Sequence, residues 1–331
     1  MDHLKESKIQ KIGVFTSGGD APGMNACVRA VVRTAIYYGK EPYGIYRGYE
    51  GMIEGDINPL GVRSVSGIIN QGGTILKSAR SSRFMTEEGR KEAFEQLQKH
   101  GIEAVVAIGG DGTFKGAHAL YEEYGIPIIG VPGTIDNDLA GCDYTLGYDT
   151  ATNTVLHSID AIRDTAQSHN RLFFIEVMGR NSGFIALRTA IAGGAEAAVI
   201  PEDEMTVEDL IGVLESGSHS NKTSSLVIVA EGKESGNSFE LARKVRQSFS
   251  YYDTRVTVLG HVQRGGSPTC FDRILASRLG LLAVEAILEG KKDVMVGMIH
   301  RHVAYTPFEE AVRSRNEIDP ELIRVSKILS I

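Results

Sequence analysis

The feature that most constrains this 331-residue chain is a unit that occurs twice: a short apolar run, a glycine-rich turn and an amphipathic helix. It spans residues 12–38, around SGGDAPGMNA, and residues 104–124, around GGDGT. A strand that leads through such a turn into a helix directs backbone N–H groups and a helix N-terminus at an anion. The repeated unit predicts an α/β fold with a phosphate site at the strand ends, whereas tight βα turns without a ligand are the alternative.

The second turn, GGDGT, carries the more specific chemistry. Gly109, Gly110 and Gly112 leave backbone donors accessible, and Asp111 supplies a carboxylate suited to Mg²⁺. The same five residues occur in NAD kinases and lipid kinases, so they indicate a nucleotide or polyphosphate donor more firmly than any acceptor. We expect the following helix to run from Phe114 to Tyr124.

The glycine-rich turn of the first unit, SGGDAPGMNA, has neither the glycine spacing of the Rossmann fingerprint nor that of the P-loop.

A third stretch, GVPGTIDNDL over residues 130–139, follows an apolar run that reads as a buried strand ending at Pro132. Gly133 lets the backbone approach a ligand closely. Beyond it lie the Thr134 hydroxyl and two carboxylates, Asp136 and Asp138, at the mouth of the sheet. A carboxylate there can take a proton from a substrate hydroxyl. The alternative is an Asx-rich turn that only caps the next element.

The net charge of −7 argues against a nucleic-acid or membrane surface. An anionic substrate therefore needs a local basic cluster. Cys27, Cys142 and Cys270 have no metal-binding spacing and suit a reducing compartment. The N-terminal segment has no apolar signal-peptide core, and no uncharged run is long enough to span a bilayer, so we expect a cytoplasmic protein.

Basic side chains gather at three glycine turns or helix faces, and each group could hold a phosphate. The alternative is a solvated surface for the first two groups and a structural role for the histidine of the third. These groups are Arg29 with Arg33, then Lys77 with Arg80 and Arg83, and finally His261 with Arg264 in GHVQRGGSP.

Two further sequence features bear on where these residues act. Arg171 and Arg180 flank one predicted strand at its opposite ends, so either one of them is structural or one reaches a neighbouring subunit. Ser267 and Pro268 read as N-cap and first residue of a helix that ends at Gly290.

Taken together, TSGGDAPGMNA, GGDGT, PGTIDND, EVMGRNSG and GHVQRGGSP resemble the ATP-dependent 6-phosphofructokinases of the bacterial type, in the family's order and over about residues 10–320. The resemblance implies two Rossmann-like three-layer α/β/α lobes with mainly parallel sheets and an active site in the cleft between them. Residues 1–147 plus about 263–313 would form the ATP-binding lobe. Residues 148–262 plus about 314–331 would form the fructose 6-phosphate-binding lobe.

The resemblance also assigns the residues of catalysis and nucleotide binding. Asp136 matches the base that deprotonates the C1 hydroxyl of fructose 6-phosphate, with Thr134 and Asp138 beside it, and Arg180 matches the residue that stabilises charge on the transferring phosphoryl. Asp111 matches the Mg²⁺ ligand. The positions implied for ATP are Gly19, Tyr49, Arg80, Ser81, Gly110, Asp111, Gly112 and Thr113, with Ser81 standing where an aromatic residue is commoner.

For the sugar phosphate, the resemblance implies Thr134, Ile135, Asp136, Arg171, Met178, Gly179, Arg180, Glu231, Arg255, His261 and Arg264. Glu231 would accept from a sugar hydroxyl, and His261 and Arg264 would bind the 6-phosphate. Arg171 and Arg255 match arginines supplied by the adjacent subunit, which implies a homotetramer.

The size of the residues at three positions indicates which compound donates the phosphoryl group. Pyrophosphate-dependent relatives have an Asp after the GGD aspartate and a Lys before the catalytic Thr, where the α-phosphate of ATP would lie. Here these positions are Gly112 and Gly133, and Gly116 also leaves room, so ATP is the expected donor. A pyrophosphate-dependent enzyme and a non-catalytic nucleotide-sensing paralogue are the alternatives.

An effector site for ADP or phosphoenolpyruvate is a further implication of the resemblance. Its positions match Arg29, Arg33, Arg163, Gly194, Glu196 and Lys222. Gly67 replaces a usual acid and Ser220 a usual lysine, so we expect a weakened or retuned site.

Overall fold

Two separate β-sheets organise the chain in this computed structural model, which describes residues 2–168, 171–219, 224–232, 238–249 and 251–330. The chain divides into two units. Unit 1 comprises Met1–Asp149 and Arg264–Asn316, and unit 2 comprises Thr150–Gln263 and Glu317–Ile331.

The strands of the described residues are β1 (Lys11–Thr16), β2 (Glu41–Ile45), β3 (Ile57–Pro59), β4 (Ala104–Gly109), β5 (Ile128–Pro132), β6 (Arg171–Val177), β7 (Ala197–Val199), β8 (Ser224–Ala230), β9 (Asp253–Val258), β10 (Val294–Ile299) and β11 (His302–Pro307). The α-helices are α1 (Asp2–Lys5), α2 (Met24–Tyr37), α3 (Gly48–Glu54), α4 (Glu87–His100), α5 (Asp111–Tyr124), α6 (Tyr148–Gln167), α7 (Phe184–Ala192), α8 (Val207–His219), α9 (Ser238–Ser248), α10 (Cys270–Leu288), α11 (Phe308–Arg313) and α12 (Pro320–Leu329). Short 3₁₀ helices span Arg83–Met85 and Gly260–Arg264.

Unit 1 contains a seven-stranded sheet in the order β11-β10-β5-β4-β1-β2-β3. Its central strands are parallel, whereas the outer pairs β10–β11 and β2–β3 are antiparallel. Every residue of β4 and β5 is buried, as expected for parallel strands covered on both faces. Gly130 in β5 leaves space for two stacked rings, Phe114 and Phe308, whose centroids are 5.1 Å apart.

Unit 2 contains a four-stranded sheet, β7-β8-β6-β9, and all its pairs are parallel. Its core packs strand residues such as Phe174 and Val229 against apolar residues of α8 and α9, including Leu214 and Val245. The prediction of an α/β fold with mainly parallel sheets is thus confirmed.

The start of α10 differs from the sequence-based expectation. Thr269 is its N-cap, because its hydroxyl oxygen accepts the Asp272 N–H at 3.3 Å. Ser267, the expected cap, instead donates to the Asn70 carbonyl oxygen at 2.8 Å. The prediction for Ser267 and Pro268 was wrong by two residues, because both Ser and Thr satisfy the capping rule and tertiary contacts decide between them.

Candidate active site

Three loops leave one edge of the unit 1 sheet, where the adjacent parallel strands β1, β4 and β5 end. The register pairs Thr16 with Ile108 and Gly109 with Pro132. Beyond the strands, the Ser17 N–H donates to the Ile108 carbonyl at 3.0 Å, and the Gly133 N–H donates to the Gly109 carbonyl at 2.9 Å. The sequence motifs SGGD, GGDGT and PGTIDND therefore lie side by side.

The loop after β1 is covered by an arginine from much later in the chain. A Cβ atom at Gly19 would lie 2.5 Å from Nη1 of Arg264, and that nitrogen donates to the Asp20 carbonyl oxygen at 3.2 Å. Gly19 and Arg264, assigned by resemblance to different substrates, are thus in contact within unit 1. Only a residue without a side chain lets the guanidinium approach this backbone so closely.

The GGDGT loop is the N-terminus of α5, which begins at Asp111 and not at the expected Phe114. Gly110 is the extended N-cap, and its carbonyl accepts the Phe114 N–H at 3.2 Å. The helix begins earlier than expected because the Gly110 carbonyl accepts the N–H groups of Thr113 and Phe114, so that no side-chain cap is needed. The first-turn N–H groups consequently face the edge of the sheet, where an anion is stabilised.

Two side chains of this turn suit a metal-bound polyphosphate. The Asp111 carboxylate is partly exposed and accepts from the Lys115 ammonium at 2.8 Å. Thr113 Oγ1 is buried and has no hydrogen-bond partner within the part of the chain that the structure describes. A hard carboxylate oxygen beside an unsatisfied hydroxyl and helix N–H groups is a donor set that fits Mg²⁺ and phosphate oxygens.

Tyr49, on α3, holds this turn from behind. Its hydroxyl donates to the Thr113 carbonyl oxygen at 2.5 Å, and its ring stacks on Phe84 with centroids 3.9 Å apart. Burial raises the pKa of the Tyr49 hydroxyl, so it remains a donor. A Cβ atom at Gly116 would lie 2.9 Å from the Tyr49 ring and 3.0 Å from the Phe84 ring. The interpretation of Gly116 as room for a ligand was wrong, because these two rings occupy that space.

Arg80 and Ser81, the other two residues implied for ATP, lie shortly before Phe84 in the sequence. Arg80 is exposed. The Ser81 hydroxyl donates to Glu50 Oε2 at 2.5 Å and accepts the Phe84 N–H at 3.1 Å. Ser81 therefore fixes the backbone around Phe84.

The loop after β5 carries the two carboxylates of GTIDND. Asp136 is 3% exposed, and its N–H donates to Thr134 Oγ1 at 3.2 Å. Asp138 is half-buried, whereas Ile135 is fully buried, so Ile135 offers only its backbone. A Cβ atom at Gly110 would lie 3.6 Å from the Thr134 Cβ, so the loops of Asp111 and Asp136 are in contact.

Unit 2 brings together four predicted residues after β6 and β8. The Arg180 N–H donates to Glu231 Oε1 at 3.4 Å, and the Glu231 N–H donates to the Val177 carbonyl at 2.8 Å. Met178 and Gly179 complete the turn, in which Gly179 has φ 152° and Arg180 φ 55°. His261 follows β9, the other neighbour of β6, and is exposed.

The remaining two predicted sugar-phosphate residues lie at the other end of β6. Arg171 Nε and Arg255 Nη2 both approach Asp253 Oδ2, at 3.5 and 2.7 Å. Arg171 begins β6 and Arg180 follows its end, so their predicted separation along one strand is confirmed.

The positions implied for an effector belong to both units. Arg29 and Arg33 lie on α2 of unit 1, where burial and then the charge of Arg33 lower the pKa of Arg29. In unit 2, the Arg163 guanidinium donates to the carbonyl oxygens of Gly193 and Gly194. Glu196 is buried and accepts the Leu226 N–H at 2.5 Å. Lys222 and Ser220 lie outside the described residues.

Sequence reasoning missed two residues that organise unit 2. Gln263 is fully buried, and its Oε1 accepts the Met178 N–H at 3.1 Å while its Nε2 donates to the Gly260 carbonyl at 3.0 Å. Asp253 holds the arginine pair. The sequence feature that could have indicated both residues is a polar side chain inside or beside a predicted strand.

None of the helices in the described ranges is both long and apolar enough to cross a lipid bilayer.

The chain is similar to known phosphofructokinases over nearly its whole length. The phosphofructokinase family model matches residues 11–287. The chain is 57% identical over 323 residues to ATP-dependent 6-phosphofructokinase 1 of Thermus thermophilus, covering 98% of this chain and 100% of that one. It is 55% identical over 322 residues to ATP-dependent 6-phosphofructokinase of Cytophaga hutchinsonii, covering 97% and 98%.

Solved structures share the fold. Phosphofructokinase from Saccharomyces cerevisiae aligns with a TM-score of 0.88 and 34% identity, and the match covers 97% of this chain but about half (48%) of the yeast chain. Pyrophosphate-dependent phosphofructokinase from Marinobacter aquaeolei aligns with a TM-score of 0.83 and 20% identity, covering 98% and 92%, a likeness of fold alone.

Proposed function

This chain belongs to the phosphofructokinase family, and we propose that it transfers the γ-phosphoryl group of ATP to the C1 hydroxyl of fructose 6-phosphate, giving fructose 1,6-bisphosphate and ADP. The observation that carries the proposal is the contact between the Asp111 loop and the Asp136 loop at the ends of adjacent strands. Phosphoryl transfer requires a charged donor site and a proton acceptor for the attacking hydroxyl at one place.

On this proposal, the C1 oxygen attacks the γ-phosphorus while its proton passes to the Asp136 carboxylate, and the bond to the β–γ bridging oxygen breaks. The N–H groups of the α5 first turn and the Thr113 hydroxyl bind the donor phosphates. Asp111 holds Mg²⁺, and the ion when bound neutralises charge on the donor phosphates. Arg180 stabilises charge on the transferring group.

The remaining residues orient the acceptor. Met178, Gly179 and Glu231 bind the sugar, and His261 and Arg264 bind its 6-phosphate. Arg171 and Arg255 reach the site of a neighbouring subunit in a homotetramer. The position of this arginine pair at the opposite end of β6 from Arg180 supports that role.

A regulatory role is proposed for the residues matched to the effector site. Together with Gly194 and Lys222, the residues Arg29, Arg33, Arg163 and Glu196 would contribute to a weakened or retuned site for ADP or phosphoenolpyruvate between subunits. The carbonyl bonds of Arg163 and the Leu226 bond of Glu196 support a retuned site, since both side chains already have protein partners.

The decisive experiment is a coupled assay of fructose 6-phosphate phosphorylation for Asp136→Asn. We expect kcat to fall by about 10²–10⁴-fold, the usual contribution of a general base, with little change in the KM for the sugar phosphate. Asp143→Asn is the matched control, because this acid of the same loop accepts the His300 N–H at 2.7 Å and an amide oxygen can replace it. Near-normal turnover by Asp136→Asn would remove the base assignment, and comparable activity with pyrophosphate would favour the pyrophosphate-dependent alternative.

A further inference from the structure

The residue between the two carboxylates, Asn137, has a left-handed backbone with φ 53° and is 2% exposed. Residues other than glycine seldom adopt this conformation, and asparagine is among those that tolerate it. The chain direction therefore changes immediately after Asp136. The conformation of Asn137 sets where the Asp136 carboxylate points relative to the rest of the loop.

The Asn137 side chain closes the loop on itself. Its Oδ1 accepts the Thr145 N–H at 2.8 Å, and its Nδ2 donates to the Asp143 carbonyl oxygen at 3.2 Å. One amide group thus bonds backbone donor and acceptor two residues apart, as a neighbouring strand would.

Thr145 extends this set of hydrogen bonds to the beginning of the loop. We call Asn137 and Thr145, with the hydrogen bonds that they make within the loop, the bracket. Thr145 is fully buried, and its hydroxyl donates to the Thr134 carbonyl oxygen at 2.5 Å. Because Thr145 bonds both Thr134 and Asn137, it holds the two residues that flank the segment containing Asp136.

Asn316 fixes the outer side of the same turn. Its side-chain amide donates to the Asn137 carbonyl at 3.3 Å and to the Cys142 carbonyl at 3.4 Å. Its backbone N–H donates to the Asp138 carbonyl at 3.2 Å. The backbone of the acidic segment is consequently bound from two sides by parts of unit 1.

We propose that Asn137 is a positioning residue that acts through Asp136, with Thr145 as its support, and directs the Asp136 carboxylate at the acceptor hydroxyl. This inference rests on the proposed role of Asp136 as base. Asparagine meets both demands of the position, since it tolerates φ 53° and supplies one donor and one acceptor. Glycine would keep the backbone freedom and lose both bonds, whereas aspartate would turn an oxygen toward the Asp143 carbonyl.

The test is a double-mutant cycle of Asn137→Gly and Asp136→Asn, measured as kcat, KM for both substrates and the pH dependence of kcat. Misplacing a catalytic group by about 1 Å costs about 10²-fold in rate, so Asn137→Gly should lower kcat by that factor with both KM values retained. It should also shift the acidic limb of the kcat profile. In the Asp136→Asn background, Asn137→Gly should change kcat by less than about threefold, because coupled residues are not additive.

Thr145→Val, which removes the hydroxyl and keeps the N–H bond to Asn137, is a second variant that reads the same bracket if Asn137→Gly does not fold. Asn58→Gly on β3 is the control for an Asn-to-Gly exchange away from the loop. Equal losses of kcat from Asn137→Gly in both backgrounds, or normal kcat in the folded single variants, would overturn the inference. If Asp136→Asn itself retains turnover, the base assignment fails, and that result is visible without either bracket variant.

Discussion

The Tyr49 hydroxyl donates to the main-chain carbonyl of Thr113 at 2.5 Å and so connects α3 to the first turn of α5. Tyr49→Phe should cost about 1–2 kcal/mol of unfolding free energy, because a buried hydrogen bond to this carbonyl is lost. Since the Thr113 turn is the proposed phosphate site, the KM for ATP should rise several-fold while the KM for fructose 6-phosphate is unchanged.

Tyr43→Phe is the matched control for this variant, because Tyr43 packs against the same core of unit 1. Denaturant titration and initial-rate kinetics measure both quantities. An unchanged KM for ATP in Tyr49→Phe would separate this tyrosine from nucleotide binding.

Gly112 provides the cleanest test of donor choice. A Cβ atom there would meet nothing within 4 Å, so Gly112→Asp introduces no clash within the protein. Gly133 is less suitable, because its Cβ would lie 3.1 Å from side-chain atoms of Ile108 and Met24. We expect Gly112→Asp to fold normally and to lose about tenfold or more in kcat/KM for ATP, which corresponds to about 1.4 kcal/mol of transition-state binding.

Gly212→Asp on α8 controls for the added charge, since this helical glycine also has open space around it. Both variants should retain stability within about 0.5 kcal/mol. Unaltered kinetics with ATP in Gly112→Asp would show that the donor phosphates do not pass this residue.

The cap of α10 predicts an order of stabilities. Thr269→Ala should destabilise the protein by about 1–2 kcal/mol, since it removes an N-cap and the 2.7 Å hydrogen bond to Asp149 Oδ2. Ser267→Ala should cost only about 0.5 kcal/mol, and Thr269→Ser should restore most of the stability. Thermal or denaturant unfolding measures the series, and a larger loss for Ser267→Ala would restore Ser267 as the cap.

Sequence patterns located the elements whose ends carry strong local signals. The predicted end of β5 at Pro132 and the predicted end of α5 at Tyr124 agree with the structure, and α5 is terminated by the left-handed Gly125. The acidic and glycine motifs of the candidate site were also readable, because each follows an apolar strand. Contacts between residues far apart in the sequence could not be predicted from local patterns. Two examples are the pairing of β10 with β5 and the hydrogen bond from Asn316 to the loop that contains Asn137. The role of Gly116 required knowing that two aromatic rings from other elements pack on it.

The pair of His118 and Asp293 should make the stability of the protein depend on pH. His118 Nδ1 lies 3.0 Å from both carboxylate oxygens of Asp293. Burial raises the pKa of Asp293, as do the charges of Glu122 and Glu309, whereas the His118 hydrogen bond lowers it. An acid with a raised pKa in the folded state binds more protons there than in the unfolded chain, so stability falls as the pH rises above about 4.

His118→Ala removes the group that lowers the pKa of Asp293, so this loss of stability should grow. The variant should match the wild type below about pH 3, where the carboxyl is protonated in both states, and be less stable by about 1 kcal/mol at neutral pH. Unfolding curves at several pH values test this, with His157→Ala, an exposed histidine on α6, as control. A stability difference that is independent of pH would mean that His118 acts through packing and not through the charge of Asp293.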